Sequence, residues 1–116
     1  MAKLNYVELP VQSTETTKAF FSAAFGWSFT DFGGDYAATM TGETDLGLNG
    51  DRSQWTSAPL AVIEVDDLEA AEAAVTAAGG TISQPIFAFP GGRRFHFRDP
   101  NGNELAAMQQ VPSSAE

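Results

Sequence analysis

Apolar and polar residues recur along the chain in an order that occurs twice. Residues 4–11 alternate with period two, Val7, Leu9 and Val11 being separated by Glu8 and Pro10, with Tyr6 before them. This predicts a strand with one apolar face. Thr17, Phe20, Phe21, Ala24 and Phe25 then recur at helical spacing. The helix they predict starts at a Ser13 or Thr14 cap and stops at Gly26. Three short β runs follow at 27–32, 36–41 and 45–49, punctuated by Gly33-Gly34 and Gly42. A polar connection over 50–59, with Trp55 as its one aromatic, leads into a second set. There Ala61, Ile63 and Val65 alternate with Leu60, Val62 and Glu64. Asp66-Asp67-Leu68-Glu69 resembles a capping box with aspartate in the cap position. Leu68, Ala71, Val75 and Ala78 fall on one helix face, and Gly79-Gly80 ends it. Strands are expected near 81–86, 93–98 and 103–109, and 112–116 reads as a frayed tail.

A shift of 54 positions makes the duplication explicit. Val11 falls on Val65, Glu15 on Glu69, Ala19 on Ala73, Ala23 on Ala77, Ala24 on Ala78 and Gly26 on Gly80. Two copies of so long a unit are a duplicated half-domain, not a solenoid. The expected fold is α+β: two βαβββ modules, at about 4–50 and 60–110, within one domain. They would form a curved mixed sheet, with helices on the convex face because each must cover an apolar sheet surface. The uncovered concave face, where pseudo-symmetric halves meet, is the expected ligand cleft.

Composition narrows the chemistry. The 116 residues include 15 acidic and 6 basic side chains, a net charge of −9, and no cysteine. Disulfides, thiolate catalysis, zinc–thiolate sites and iron–sulfur clusters are excluded. Acidity argues against nucleic acid, which needs clustered Lys and Arg. No apolar run approaches the ~20 residues of a membrane span. Without a signal peptide, the expectation is a soluble, cytoplasmic protein.

The order of elements, together with Phe97-Arg98-Asp99-Pro100-Asn101-Gly102-Asn103-Glu104-Leu105, resembles the vicinal oxygen chelate superfamily, which holds glyoxalase I, extradiol dioxygenases, methylmalonyl-CoA epimerase and bleomycin-resistance proteins. Leu9-Pro10-Val11, Ala19-Phe20-Phe21 before Phe25-Gly26-Trp27, and Val65-Asp66-Asp67 before Gly79-Gly80 carry the resemblance over residues 4–109. The Asp-Pro-Asn-Gly segment itself reads as a structural turn. The resemblance implies a divalent metal held by His, Glu or Gln from both halves. By register those positions are Tyr6, Leu60 and Ala106, with the fourth near Gly47. Leu and Ala offer no donor, and a neutral phenol is a poor ligand. No metal and no cofactor are therefore expected.

Strand parity then defines a different pocket. Tyr6, Leu60, Arg94, Ala106 and Met108 are expected to line it, with Trp55, Phe87 and Phe89 as aromatic walls. Residues 85–92 read as a loop that would close over it, hinged at Gly91-Gly92. His96, the only histidine, with Glu8 or Glu104, is the candidate acid/base group. The leading reading is a metal-independent small-molecule-binding protein, a homodimer like the bleomycin-resistance proteins, for an aromatic, amphipathic or cationic ligand. The alternatives are an enzyme using His96 without metal, or one with displaced metal ligands.

Overall fold

A computed structural model describes residues 2–110; the expected tail at 112–116 lies outside them. The chain folds as two compact units, one holding Asn5–Leu60 and the other the residues from Ala61 onward with the first few of the chain. Both repeat one α+β plan, the expected βαβββ order.

In the first unit, β1 (Lys3–Pro10) leads into α1 (Thr14–Phe25), then β2 (Thr30–Asp31), β3 (Tyr36–Ala38) and β4 (Asp45–Asn49). The sheet order is β2-β3-β4-β1. β1 and β4 are parallel, so a helical crossover is required between them; β2, β3 and β4 are antiparallel neighbours. Ser13 caps α1, its Oγ accepting from the Thr16 amide at 3.1 Å. Gly26, at φ 74°, ends the helix in the left-handed conformation that lacks a Cβ penalty. Leu9, Leu48 and Ala37 are cross-strand partners, and Leu48 and Ala37 have no exposed surface. Two details differ from expectation. Only Thr30–Asp31 of the 27–32 run pairs as a strand; the aromatics before it stack on α1 instead. Phe20 and Phe25, placed on the buried stripe by spacing, are 61% exposed. The stripe spans too wide an arc for one helix face, and Thr14, Thr17 and Phe21 take the inner part of it.

In the second unit, β5 (Leu60–Glu64), α2 (Leu68–Ala77), β6 (Thr81–Phe89), β7 (Gly92–Arg98) and β8 (Glu104–Gln110) follow in order. The sheet order is β5-β8-β7-β6, with β5 parallel to β8 and the rest antiparallel. Asp67 caps α2, accepting from the Ala70 amide at 3.0 Å. Glu69 is thereby released from the capping box and pairs with Arg93. The core cluster joins Leu68, Phe95 and Ala107, with Val65, Ala71, Val75, Ile82, Ile86 and Phe97 around it. Phe95 and Phe97 thus pack beneath α2, the side that strand alternation predicts.

One expectation fails outright. Residues 85–92 are not a loop over a pocket. β6 runs through Phe89, and a tight turn at Pro90-Gly91 returns it as β7. Pro85, which cannot donate to a ladder, falls where pairing is irregular, between Gln84 and Phe87. Proline and paired glycines therefore mark a bulge and a hairpin turn here.

Candidate functional site

Each unit carries a polar cluster on the sheet side away from its apolar partners. In the first, Glu8 on β1 is 6% exposed. Its register partner on β4 is Gly47, whose own partner on β3 is Ala38. Tyr36 lies two residues from Ala38 and so on the same side. Its hydroxyl crosses β4 above Gly47 and donates to Glu8 Oε2 at 2.8 Å. The Tyr6 and Tyr36 hydroxyls meet at 2.5 Å. A Cβ on Gly47 would collide with both hydroxyls, so the missing side chain is what lets the two phenols meet the carboxylate. Tyr36 was not among the candidate residues read from the sequence. Its parity with Ala38 was available, but its partner stands 28 residues earlier and leaves no local signal.

Burial, reinforced by the charge of Glu8, holds the Tyr36 phenol far above its ordinary pKa of 10.0. The folded protein therefore keeps a proton that the unfolded chain releases above pH ~10. The stabilisation is complete below that pH and is lost as pH rises past it. Between pH 8 and 11 the native protein is expected to lose about 1 kcal/mol more than the Tyr36→Phe variant, in paired urea titrations. Equal losses in the two proteins would show that Tyr36 is not buried against Glu8.

In the second unit, His96 on β7 is 2% exposed, and its Nδ1 lies 3.0 Å from Glu104 Oε2 on β8. Ser83 Oγ donates to the same carboxylate oxygen at 3.3 Å, and Arg98 Nη2 stands 3.7 Å from the other. The ring of Phe87 is 5.8 Å from that of His96. The Arg94 guanidinium sits over Phe87 and Phe89 at 5.4 and 5.5 Å. Met108 is the cross-strand partner of Arg94 on β8. His96, Glu104, Arg94, Phe87, Phe89 and Met108 thus share one region of this unit. Glu8 belongs to the tyrosine cluster of the other. Leu60 and Ala106 have no exposed surface. Trp55 closes a single 3-10 turn, Arg52–Gln54, where its Nε1 donates to the Asn49 carbonyl at 2.8 Å and Arg52 covers its ring at 4.8 Å. Asp99 accepts from the Asn101 and Asn103 amides, both at 2.9 Å, which accounts for the Asp-Pro-Asn-Gly turn structurally.

The donor set does not fit the metal that the resemblance implies. Leu60 and Ala106 bear no donor atom, and the space above Gly47 holds two phenol hydroxyls bonded toward Glu8. Among the described residues, no three His, Asp or Glu side chains group to hold an ion.

Solved structures share the fold at low identity. Methylmalonyl-CoA epimerase from Mycobacterium tuberculosis matches with a TM-score of 0.74 at 16% identity, over 97% of this chain and 90% of that one. A glyoxalase/bleomycin resistance protein/dioxygenase superfamily member from Vibrio splendidus 12B01 gives 0.73 at 17%, over 95% and 100%. The Mn(II)-bound glyoxalase from Novosphingobium aromaticivorans gives 0.68 at 20%, over 96% of this chain but 40% of that one. No curated protein matches the sequence. The duplicated βαβββ plan agrees with a family match that spans residues 3–107, and the chain belongs to the Glyoxalase/Bleomycin resistance protein/Dioxygenase superfamily.

Proposed function

We propose that this chain is a metal-independent small-molecule-binding member of the superfamily. One observation carries the reading: the positions that would hold a metal bear Leu60, Ala106 and a Gly47 covered by the Tyr6–Tyr36 pair. The second unit offers what an organic ligand needs. Phe87, Phe89 and Met108 supply half-buried apolar surface, and Arg94 supplies a fixed polar group among them. Aromatic and amphipathic ligands fit this mixture of ring faces and few polar atoms.

A second reading rests on the His96–Glu104 contact. A carboxylate on Nδ1 orients the imidazole and selects its tautomer, the arrangement of a general base. An enzyme without metal is therefore the alternative, in a superfamily whose solved relatives include an epimerase and a glyoxalase. Binding is favoured because His96 is 2% exposed, whereas a base must reach the proton it removes.

Elemental analysis of purified protein is expected to find no stoichiometric divalent metal, and chelator is expected to leave the melting temperature unchanged. About one Zn, Ni, Fe or Mn per chain, with a Tm that falls on chelation, would overturn the reading. In a thermal-shift screen, aromatic and amphipathic compounds are expected to raise Tm. A ligand at 100 times its Kd adds about 2.7 kcal/mol of stability. Phe89→Ala and Arg94→Ala should each weaken that shift. Hits that stabilise both variants as well as the native protein would move the site elsewhere.

A further inference from the structure

The chain has two tyrosines, 30 positions apart, and their hydroxyls meet. Tyr6 stands on β1 and Tyr36 on β3, and both reach over Gly47 of β4. Tyr36 gives its one hydroxyl proton to Glu8 Oε2 at 2.8 Å. At the 2.5 Å contact between the phenols the donor is therefore Tyr6. The three side chains form one directed hydrogen-bond chain, from Tyr6 through Tyr36 to Glu8. Ligand binding in the second unit makes no use of it.

The module does not need this chain of groups to fold. In the second copy the row Val62, Ala106, His96 corresponds to the row Glu8, Gly47, Ala38 in the first. Two residues before Val62 and His96 stand Leu60 and Arg94, where the first copy has Tyr6 and Tyr36. No phenol or carboxylate occupies any of these places in the second copy. The tyrosine–tyrosine–glutamate cluster is thus an addition to the common plan, not a consequence of it.

From this we infer that Tyr6 and Tyr36 form an oxidative modification site, at which a one-electron oxidant joins the two side chains covalently. A phenol that loses an electron becomes a strong acid, so the loss is favoured where a proton acceptor is already in place. Glu8 is that acceptor for Tyr36. One equivalent of oxidant takes an electron from Tyr36 as the hydroxyl proton passes to Glu8, leaving a neutral phenoxyl radical. A second equivalent takes an electron from Tyr6, whose hydroxyl proton goes to water. The radicals pair, and a bond forms from the Tyr6 oxygen to the Tyr36 ring carbon beside its hydroxyl. That carbon releases its hydrogen as a proton to water, and Glu8 returns a proton to the Tyr36 oxygen. One O–H and one C–H bond are thereby replaced by one C–O bond, with two electrons passed to the oxidant.

Two features direct the chemistry to this pair. The chain has no cysteine to be oxidised first. The hydroxyls are also in contact before any radical forms, so coupling within one chain outruns the encounter of two chains.

Photogenerated tris(bipyridine)ruthenium(III), a one-electron oxidant, tests the inference on the full chain. Trypsin cuts after Lys18 and so separates Tyr6 from Tyr36. Mass spectrometry of the oxidised monomer is expected to find peptides 4–18 and 19–52 joined, two hydrogens lighter than their sum. Glu8→Gln keeps a hydrogen-bond acceptor but removes the base, and should slow the joining about 10-fold or more. Gly47→Ala keeps all three side chains but parts the hydroxyls, and should slow it as well. Glu43→Gln, an exposed carboxylate outside the cluster, should change nothing. Circular dichroism of each variant checks that the fold is kept. A native chain whose tyrosines stay separate, or join only between chains, overturns the inference. So does a rate that Glu8→Gln or Gly47→Ala leaves unchanged.

Discussion

Phe95→Ala is expected to remove about 3–5 kcal/mol of stability, the usual cost of deleting a buried aromatic ring. The ring has no exposed surface and sits between Leu68 on α2 and Ala107 on β8. Its removal leaves a cavity that Val65, Val75, Ile82 and Ile86 border and cannot all fill. Stability of small domains is about 5–15 kcal/mol, so the variant should be marginal, with a melting temperature lower by roughly 15 °C or more. Phe97→Ala, at the half-buried edge of the same cluster, should cost clearly less. Denaturant titrations of the two variants decide the sidedness of β7. A one-residue slip would bring His96 beneath α2 and turn Phe95 outward. A loss under about 1 kcal/mol for Phe95→Ala would imply that slip, and the His96–Glu104 contact would fall with it.

The duplication was the most legible feature, because it is written in residues that are local to each element. Caps at Ser13 and Asp67 and helix starts at Thr14 and Leu68 keep the shift of 54 in the folded chain. Strand parity was legible in β7, where Phe95 packs beneath α2 as its alternation with Arg94 and His96 predicts; in β1 burial does not follow it, since Glu8 is more buried than Val7 and Leu9. What was not legible depended on partners distant in sequence. The Tyr36–Glu8 bond spans β3, β4 and β1, and nothing near Tyr36 announces it. The β6–β7 hairpin was hidden because Pro85 and Gly91-Gly92 are ordinary loop residues. Gly92 is needed for a different reason: a Cβ there would strike the Gln109 carbonyl of β8. The exposure of Phe20 and Phe25 could not be read from spacing, because a helix with aromatics on a wide arc does not say which of them face the sheet.

The two polar clusters share a physical logic. Each puts a carboxylate against one sheet side and bonds it to side chains of neighbouring strands. Glu8 receives a phenol; Glu104 receives an imidazole and a hydroxyl, beside a guanidinium. Buried carboxylates are costly unless bonded in this way. Glu8 Oε2, Glu104 Oε2 and His96 Nδ1 are thus engaged in hydrogen bonds within each unit.

Gly47→Ala is expected to be the most informative single change in the first cluster, at a cost of about 3 kcal/mol from overpacking and a weakened bond to a buried carboxylate. The added methyl would occupy the space where the Tyr6 and Tyr36 hydroxyls meet. Both phenols must then swing aside, and Glu8 loses the donor that Tyr36 provides. The effect should be coupled to the tyrosines, not general to β4. In a Tyr36→Phe background one of the colliding hydroxyls is gone and the Glu8 bond is already lost, so Gly47→Ala should cost at least 1 kcal/mol less there. Leu48→Ala, the next residue and wholly buried on the other side of the strand, should show no such coupling. Urea titrations of the two double-mutant cycles measure this directly. If Gly47→Ala costs the same with and without the Tyr36 hydroxyl, the glycine is not there to admit the tyrosine pair, and the position is again open to a ligand or an ion.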